Sequence, residues 1–461
     1  MFNLIFSIGM FGVFLISMYA TFITAAKANG RIILGVTLPH EALGHSDTIR
    51  IVNKFRKAHT LNTLMFFVLA IPALFVAEYW SLIMIYLLVW ICAIMYRGSA
   101  VFSKHFSELY SLKKKNEWWV GKKNTINIDT ETSRLKNTFM LSRNWFILPF
   151  IISVVPIIYG FSESQDINFW TLAGVGVFNV LIAFLIHHAI SKMKTKTYSD
   201  NTEVNIALNH VFKMEWSKCL FIIAVVMSSL FSLMSFIAMG AIGQIVTIIL
   251  AVILSPALII PIYFSYSKIR TTRNTMLLLE NETLYTDDDH YWQSGLFYNN
   301  PHDSNAFVEK RVGIGMTVNI ATKGGKILMW LIAPAIVLWL GIAVYMLPFD
   351  FGSVTLNVSG ETVTINAPLN RFSFQSDEII NVSLIDYLPP AGRVNNMSHG
   401  RIISGISHVR GYGESNVFVF RENAPYIRVE LENGWVFLNG NMREETVAFF
   451  EKLMALPPYV R

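Results

Sequence analysis

The chain contains 461 residues, of which 53% are hydrophobic and only 15% are charged. Soluble domains carry roughly 25% charged residues, so this composition argues against a protein that lies wholly in water. The formal net charge is +6, but the lysines and arginines are spread between apolar runs, as membrane orientation requires, which argues against a nucleic-acid partner.

Eight apolar segments have the length of a transmembrane helix, because a hydrocarbon core of about 30 Å needs about 20 helical residues. The second and third are separated only by Glu78-Tyr79-Trp80, so they predict a tight hairpin rather than one helix far longer than a bilayer is thick. Residues 1–348 are therefore predicted to form an all-α transmembrane bundle in contact with the lipid bilayer. The predicted spans are 2–24, 61–78, 80–96, 144–162, 169–188, 219–239, 241–264 and 327–348.

Basic residues collect in alternate loops between these spans. The loop 163–168 contains Glu163 and Asp166 without a base, and the turn near Gly240 is uncharged. The basic loops are 25–60, 97–143, 189–218 and 265–326. By the positive-inside rule, they are predicted to lie in the cytoplasm of a multipass cell-membrane protein with both termini outside the cytoplasm.

The first span is expected to be retained as an anchor. Its leading residues, Met1-Phe2-Asn3, carry no positive side chain, and its apolar stretch exceeds a typical signal-peptide core. Ala26-Lys27-Ala28 resembles a cleavage site, which leaves a cleaved signal peptide as the alternative.

Residues 349–461 alternate between polar and apolar side chains, which is typical of β-strands. Hairpins are predicted about Ser359-Gly360 and about Asn433-Gly434, the latter being the strongest short hairpin signal. A helix is predicted to begin near Met442. The predicted strands are 354–358, 362–365, 371–375, 378–384, 402–406, 417–420, 427–431 and 435–438. The pattern predicts a small β-barrel-like domain capped by one helix.

This succession of strands and one helix, with Gly411-Tyr412-Gly413 leading into Val417–Phe420, resembles a bacterial pleckstrin-homology-like domain. Domains of that kind that bind phosphoinositides use a basic first hairpin turn, whereas Ser359-Gly360-Glu361 contains no base. Recognition of a protein or peptide, at a sheet edge, is therefore favoured over recognition of a lipid headgroup by this domain.

The loop before the eighth span carries a long pattern of acidic, aromatic, turn and basic residues. Its members are Asp288, Asp289, Trp292, Gly295, Tyr298, Asn300, Pro301, Asp303, Lys310, Arg311, Gly313, Gly315 and Asn319. The pattern resembles the signature of an uncharacterised family of multipass bacterial membrane proteins that often end in a pleckstrin-homology-like domain. Val36-Thr37-Leu38-Pro39 resembles the same family's loop after the first span. The resemblance implies an architecture and a structural or interaction role for this loop.

The acidic run Asp287–Asp289 with His290, and His302 nearby, could offer ligands to a divalent ion. A structural role is favoured, because the segment consists of turn and packing residues without a nucleophile–base pair. His40 and His45 are five residues apart, whereas the zinc-protease motif needs a spacing of four. No catalytic residue, cofactor or metal ion is therefore expected. The two cysteines, Cys92 and Cys219, both lie in apolar runs.

The sequence thus favours a non-enzymatic membrane protein that presents an interaction domain and acts in envelope signalling, regulation or protection. One alternative is a transporter or an envelope-lipid enzyme with a site among proline-kinked helices, near Asn179 and Gln244. The other is a toxin-immunity protein, since some relatives of the resembled family are similar to membrane immunity proteins against secreted toxins. Those relatives carry a Pro-…-His-Phe-Asn segment that the loop Ser162–Asn168 lacks.

Overall fold

The computed structural model describes residues 2–120, 122–123, 129–135, 138–163, 167–238, 244–278, 286–399, 402–421 and 423–456. For 2–6, 122–123, 162–163, 167–168, 237–238, 244–257, 278, 286 and 392–399 the description covers the backbone alone. The α-helices in these ranges are α1 (Phe2–Ile23), α2 (His40–Leu43), α3 (Ser46–Val68), α4 (Trp80–Lys115), α5 (Thr130–Leu135), α6 (Ile147–Glu163), α7 (Ile167–Lys192), α8 (Thr202–Ala238), α9 (Gln244–Leu278), α10 (Lys323–Trp330), α11 (Ile332–Phe351) and α12 (Arg443–Met454).

Among the described residues, seven helical runs are long and apolar enough to cross a membrane. They are Ser7–Ala26, Ser46–Val76, Trp80–Lys115, Arg143–Phe161, Phe169–Lys192, Thr202–Phe236 and Lys323–Phe351. The predicted multipass helical membrane protein is confirmed at this level. The remaining predicted span, 241–264, falls on α9, but its residues 241–243 and the side chains of 244–257 lie outside the described residues. The same holds for the predicted turn at Gly240.

α3 and α4 form the predicted hairpin, joined through a 3-10 turn at Ile71–Val76. Both helices are longer than the predicted spans 61–78 and 80–96, because helical hydrogen bonding continues into the basic segments where hydropathy falls. α4 has 36 residues, which extend about 54 Å at 1.5 Å per residue and so exceed the hydrocarbon core of about 30 Å. One end of α4 therefore projects well beyond the membrane.

Aromatic side chains pack α1, α3 and α4 together within the membrane region. The rings of Phe11 and Trp90 meet edge to face, with 5.0 Å between their centroids. Trp90 Nε1 donates a hydrogen bond to Phe66 O at 3.1 Å. The indole N–H thus has the partner that a buried tryptophan in an apolar medium requires.

The strands begin with four short pairs at the ends of the helices and continue in the C-terminal part. They are β1 (Ile32–Ile33), β2 (Val36–Thr37), β3 (Lys122–Lys123), β4 (Thr286–Asp287), β5 (Trp292–Gln293), β6 (Phe297–Tyr298), β7 (Phe307–Glu309), β8 (Met316–Val318), β9 (Thr355–Ser359), β10 (Thr362–Ala367), β11 (Asn370–Gln375), β12 (Ile379–Ile385), β13 (Ala391–His399), β14 (Ile402–Val409), β15 (Gly413–Phe420), β16 (Tyr426–Leu431) and β17 (Gly434–Leu438).

The C-terminal part folds into two sheets, which confirms a sheet domain after the helical part. The first sheet has the order β11-β10-β9, and the second has the order β12-β16-β17-β15-β14-β13. Both predicted hairpins are confirmed, since Ser359 pairs with Thr362 and Leu431 pairs with Gly434. β13 lies in a polar segment where no strand was predicted.

The predicted barrel-like wall is not closed among the described residues. A barrel needs hydrogen bonding that continues from strand to strand around its wall. Here β11 ends at Gln375, a 3-10 turn follows at Ser376–Glu378, and β12 pairs with β16 of the other sheet. The two sheets instead share one core between their inner faces, which contains Val363, Ile365, Val429 and Val436, all fully buried.

The end of α11 belongs to the core of this domain. Phe349 is 2% exposed and packs in the same cluster as the two sheets. The next residue, Asp350, is also buried, and its Oδ2 accepts a hydrogen bond from Ser81 N at the start of α4 at 2.7 Å. The rings of Tyr79 and Phe351 stack with 5.0 Å between centroids. The domain is therefore joined to the α3–α4 hairpin by direct packing.

Candidate functional site

The candidate site is built by residues 286–322, here called the motif loop, which lies at the ends of the helices opposite the C-terminal domain. The helix ends with the basic loops are called the loop side, and the ends near the C-terminal domain are called the domain side. Within the motif loop, β5 and β6 form a tight hairpin through Ser294 and Gly295, both with positive φ. A Cβ on Gly295 would lie 2.6 Å from Phe106 Cδ2, so only glycine lets the hairpin approach α4 this closely.

Lys113, in the last turn of α4, is fully buried beneath the motif loop. Its Nζ lies 2.6 Å from Asp287 Oδ2 and 2.6 Å from Asp289 Oδ2. An ammonium group removed from water in this way must be paired, because an isolated buried charge is very costly. Lys113 therefore depends on the two carboxylates, and they depend on it.

Asp289 connects three separate parts of the chain. Its Oδ1 accepts hydrogen bonds from Arg311 Nη1 and, at 2.9 Å, from Thr37 Oγ1, while its Oδ2 accepts from Thr37 N at 3.1 Å. Arg311 also pairs with Asp288, donates to Gly35 O at 2.6 Å, and lies over the Trp292 ring with 5.2 Å to its centroid. The two segments that resemble one family, around Thr37 and around Asp289, thus meet in space. Lys113, Asp287, Asp288, Asp289 and Arg311 are called the ion cluster below.

The ion cluster holds the Asp289 carboxylate in the charged form. Burial by itself would raise the pKa of Asp289, but the positive charges of Arg311 and Lys113 and their hydrogen bonds outweigh burial and lower the pKa. Three carboxylates and two cations of the protein pair with one another in this cluster. The protein itself therefore supplies the opposite charges that hold the cluster together.

A second network surrounds Asn319, which is fully buried. Its Nδ2 donates to Asn300 O at 2.8 Å and to Asp303 O at 2.7 Å. Its Oδ1 accepts from Asn300 N at 3.0 Å and from Ala321 N at 3.2 Å. Asn300 Nδ2 in turn donates to Tyr298 Oη at 2.9 Å. The side chain of Asn319 thus forms hydrogen bonds with four backbone groups that no strand or helix satisfies, as buried backbone groups require. Tyr298, Asn300, Asp303 and Asn319 are called the asparagine network below.

The motif loop also contacts the remaining basic segments. Arg273 Nη1 of α9 lies 2.6 Å from Glu309 Oε2, and Lys194 N donates to Asn305 Oδ1 at 2.8 Å. Tyr198, next to the Arg273–Glu309 pair, has its pKa raised to about 12, mainly because it is buried. Each basic loop therefore meets the motif loop on the loop side, through Thr37, Lys113, Lys194 and Arg273.

The structure brings together most of the residues singled out in the sequence. The ion cluster contains Asp288, Asp289 and Arg311, and the ring of Trp292 lies against the guanidinium group of Arg311. The asparagine network contains Tyr298, Asn300, Asp303 and Asn319, and begins next to Pro301. Gly295 lies in the turn of the β5–β6 hairpin. The last three act through the backbone turn of β7–β8, where Lys310 N donates to Gly315 O at 3.1 Å and Gly313 and Gly315 have positive φ.

Sequence reasoning did not assign Lys113, Thr37, Gly35 or Asp287 to the site. Asp287 was considered only as a metal ligand, and Thr37 only as part of a segment that resembles a family loop. Lys113 was interpreted only as one of the basic residues that orient the chain. One signal could have found it, because Lys113 continues the buried stripe of Phe102, Phe106 and Leu109 at helical spacing. A lysine on the apolar face of a helix must have a buried acidic partner.

The metal-site alternative gains no support from the described residues. The carboxylates of Asp287 and Asp289 point to Lys113, and His290 is exposed, with its ring against Tyr291. No group of three or more potential metal-ligating side chains converges within the described ranges. His45 is instead the N-cap of α3, where its Nδ1 accepts a hydrogen bond from Asp47 N at 3.2 Å.

Acidification is expected to weaken the loop side below about pH 4. Like Asp289, Glu309 has its pKa lowered, because the charge of Arg273 outweighs the effect of burial. A carboxyl group whose folded-state pKa is depressed stabilises the fold at pH values above its unfolded-state pKa, which is about 3.9 for Asp and 4.3 for Glu. This stabilisation is lost as the pH falls through the folded-state pKa. The measurement is the thermal unfolding midpoint of the full chain in detergent from pH 7 to pH 3. An Asp289→Asn/Glu309→Gln variant should unfold at a lower temperature at pH 7 but lose less on acidification, and an equal acid response in both proteins would contradict the assignment.

Comparison with known proteins gives one local match. The model of a family of unknown function, DUF5808, matches residues 301–326. The matched segment starts inside the asparagine network, contains Arg311 and Asn319, and ends in α10. No curated protein matches the chain. No solved structure matches it either.

Proposed function

We propose that this chain is a non-enzymatic multipass membrane protein that transmits a binding event at its C-terminal domain to the loop side. The observation that carries the proposal is the attachment of α4 at both of its ends. On the domain side, Ser81 N donates to Asp350 at 2.7 Å. On the loop side, Lys113 Nζ lies 2.6 Å from Asp287 and from Asp289. A helix held at both ends is a rigid element through which a displacement at one site can bias the other.

The proposed orientation has the loop side in the cytoplasm and the domain side outside the cytoplasm. The positive-inside rule supports it, since the basic segments meet on the loop side. α9 serves as the eighth crossing in this proposal. An even number of crossings returns both termini to the domain side, where Asp350 meets the start of α4.

The proposed role of residues 349–461 is recognition of a protein or peptide by a pleckstrin-homology-like domain. Two facing sheets followed by α12 support the likeness. β9 is an edge strand, and such an edge leaves backbone groups that an extended segment can pair with. A cavity of about 770 Å³ lies beside β9 and the end of α12, and its lining includes the basic side chains of Arg371 and Lys452. An acidic extended segment fits these groups best.

The other candidate functions have no observation in their favour among the described residues. A transport or lipid-enzyme site was expected near Asn179 and Gln244. Asn179 Nδ2 donates to Val175 O of its own helix at 2.9 Å, and the side chain of Gln244 lies outside the described residues. Toxin immunity likewise has no observation in its favour in the described ranges.

The attachment of α4 can be tested by amide hydrogen exchange on the full chain in lipid nanodiscs. Replacing Asp350 by alanine removes the acceptor at the first turn of α4, a loss of about 1 kcal/mol for a typical helix cap. If α4 transmits this change, exchange in the motif loop is expected to rise about fivefold, which corresponds to about 1 kcal/mol.

Asp377→Ala provides the matched control, because Asp377 is an exposed acidic residue in the first turn of a 3-10 helix of the same domain. This variant should leave exchange in the motif loop unchanged. Faster exchange in Asp350→Ala that is confined to the domain and to residues 77–84 would overturn the proposed transmission.

A further inference from the structure

A second polar cavity lies on the loop side, between the start of α6 and the end of α7. Its volume is about 310 Å³. Its polar lining residues are Ser142, Arg143, His187, Ser191 and Lys192. The lining contains two cationic side chains and no carboxylate, so the charge of the cavity favours an anion. None of these side chains takes part in the ion cluster or in the asparagine network.

His187 supplies the observation that points to a ligand. The side chain is 1% exposed, and its Nε2 lies 3.1 Å from Leu141 O. Its other ring nitrogen, Nδ1, is buried and has no hydrogen-bond partner among the described residues. The Phe146 ring packs against the imidazole with 4.9 Å between centroids, which holds it in place. A buried polar atom without a partner is costly, and a ligand in the cavity that His187 lines can supply the missing partner.

The charged and hydroxyl groups of the cavity complement a phosphate. Arg143 and Lys192 are exposed, and within the described ranges neither forms an ion pair with a carboxylate. Ser142 Oγ accepts from Asn144 N at 3.4 Å, which leaves its hydroxyl proton for an oxygen of the ligand. The helical run Arg143–Phe161 begins here, and the N-terminus of a helix carries partial positive charge that favours phosphate.

The surroundings place this cavity at the level of the lipid headgroups. Trp145 is 52% exposed, and the neighbouring side chains of Ile147, Leu148 and Leu185 are also exposed. Exposed apolar side chains on a membrane helix face acyl chains, and tryptophan is enriched where the chains meet the headgroups. The cationic lining therefore lies where the apolar surface ends.

We propose that this cavity binds the phosphate of an anionic phospholipid from the leaflet on the loop side. Arg143 and Lys192 pair with the phosphate charge, and Ser142 donates to one of its oxygens. Since Nε2 of His187 faces the acceptor Leu141 O, its Nδ1 is the acceptor for a hydroxyl group of the lipid headgroup. The acyl chains of the same lipid lie along the exposed faces of α6 and α7. This inference requires a membrane-embedded bundle but is independent of transmission through α4.

The test measures lipid binding to the purified full chain by native mass spectrometry, with phosphatidylglycerol and phosphatidylcholine as the two probes. The wild-type chain is expected to bind the first phosphatidylglycerol molecule more tightly than phosphatidylcholine. The Arg143→Gln/Lys192→Gln variant should lose about 30-fold in phosphatidylglycerol affinity, as two basic residues near an anionic lipid predict. Its affinity for phosphatidylcholine should not change. Since both residues are exposed, folding should persist, which the thermal midpoint checks.

A matched control replaces one arginine and one lysine elsewhere on the loop side, in the variant Arg134→Gln/Lys57→Gln. Both side chains are exposed, and this variant should retain wild-type affinity. An equal loss in both variants would reduce the effect to general surface charge and overturn the site. Displacement of the lipid by inorganic phosphate at equal concentration would assign the cavity to a soluble anion and overturn the lipid proposal. So would equal affinity of the wild-type chain for the two phospholipids.

Discussion

Replacing Lys113 by methionine is expected to destabilise the protein by about 3–5 kcal/mol, the cost of removing one partner from a buried ion pair. The methionine fills a similar volume, so the loss comes from charge. Asp287 and Asp289 would remain in a buried site without the ammonium group that lies 2.6 Å from each of them. Thermal or denaturant unfolding of the full chain in detergent measures this change in the free energy of unfolding.

Lys115→Met is the control for this prediction, because Lys115 ends the same helix but is exposed. It should change stability by no more than about 0.5 kcal/mol, as for most surface substitutions. Adding Asp287→Asn to the Lys113→Met variant should recover part of the loss, since Asp289 still pairs with Arg311 and the substitution removes the charge of Asp287, which had paired with Lys113. If Lys113→Met and Lys115→Met had equal small effects, the ion cluster would not be a stabilising element.

Replacing Asn319 by alanine is expected to cost about 3 kcal/mol or more. The truncated side chain would no longer satisfy two backbone N–H groups and two backbone carbonyls around it, and each buried group left without a partner costs about 1–3 kcal/mol in a non-additive way. The damage should be local to the segment from Asn300 to Thr322. Limited proteolysis of the full chain, with cleavage sites mapped by mass spectrometry, measures it.

Asn299→Ala is the matched control for the asparagine network. Asn299 donates its backbone N–H to Tyr291 O, a bond that the substitution keeps. Cleavage within 300–322 should increase in Asn319→Ala and remain at the wild-type level in Asn299→Ala. Equal protection in both variants would show that the four bonds of Asn319 do not hold the loop.

The two networks explain how a loop rich in polar and turn residues is fixed at the ends of the helices. The ion cluster fastens its first part to α4 and to the segment before α2. The asparagine network fixes its second part, where Gly325 passes so close that a Cβ would lie 1.9 Å from Asn319 O. The family match at 301–326 covers this second part. A substitution in either network should therefore affect the loop side first and the membrane helices less.

Hydropathy by itself located the seven membrane-length helices of the described residues, because the cost of placing a charge in hydrocarbon acts on each segment independently of the rest of the chain. Local turn chemistry likewise predicted the hairpins at Ser359-Gly360 and Asn433-Gly434, since a two-residue turn depends on its own backbone conformations. The long motif loop was singled out by its resemblance to a family signature, and its turn residues favoured a structural role.

Only the tertiary structure decided which residues act together. Thr37 and Asp289 are 252 positions apart, and Lys113 and Asp289 are 176 positions apart, so their pairing depends on how the helices pack and not on any local pattern. The same is true of the sheets, where β12 pairs with β16 instead of closing a barrel. A basic residue in a loop and a basic residue buried in an ion cluster look alike in sequence. The difference between them is the removal of water, which arises only when distant segments come together.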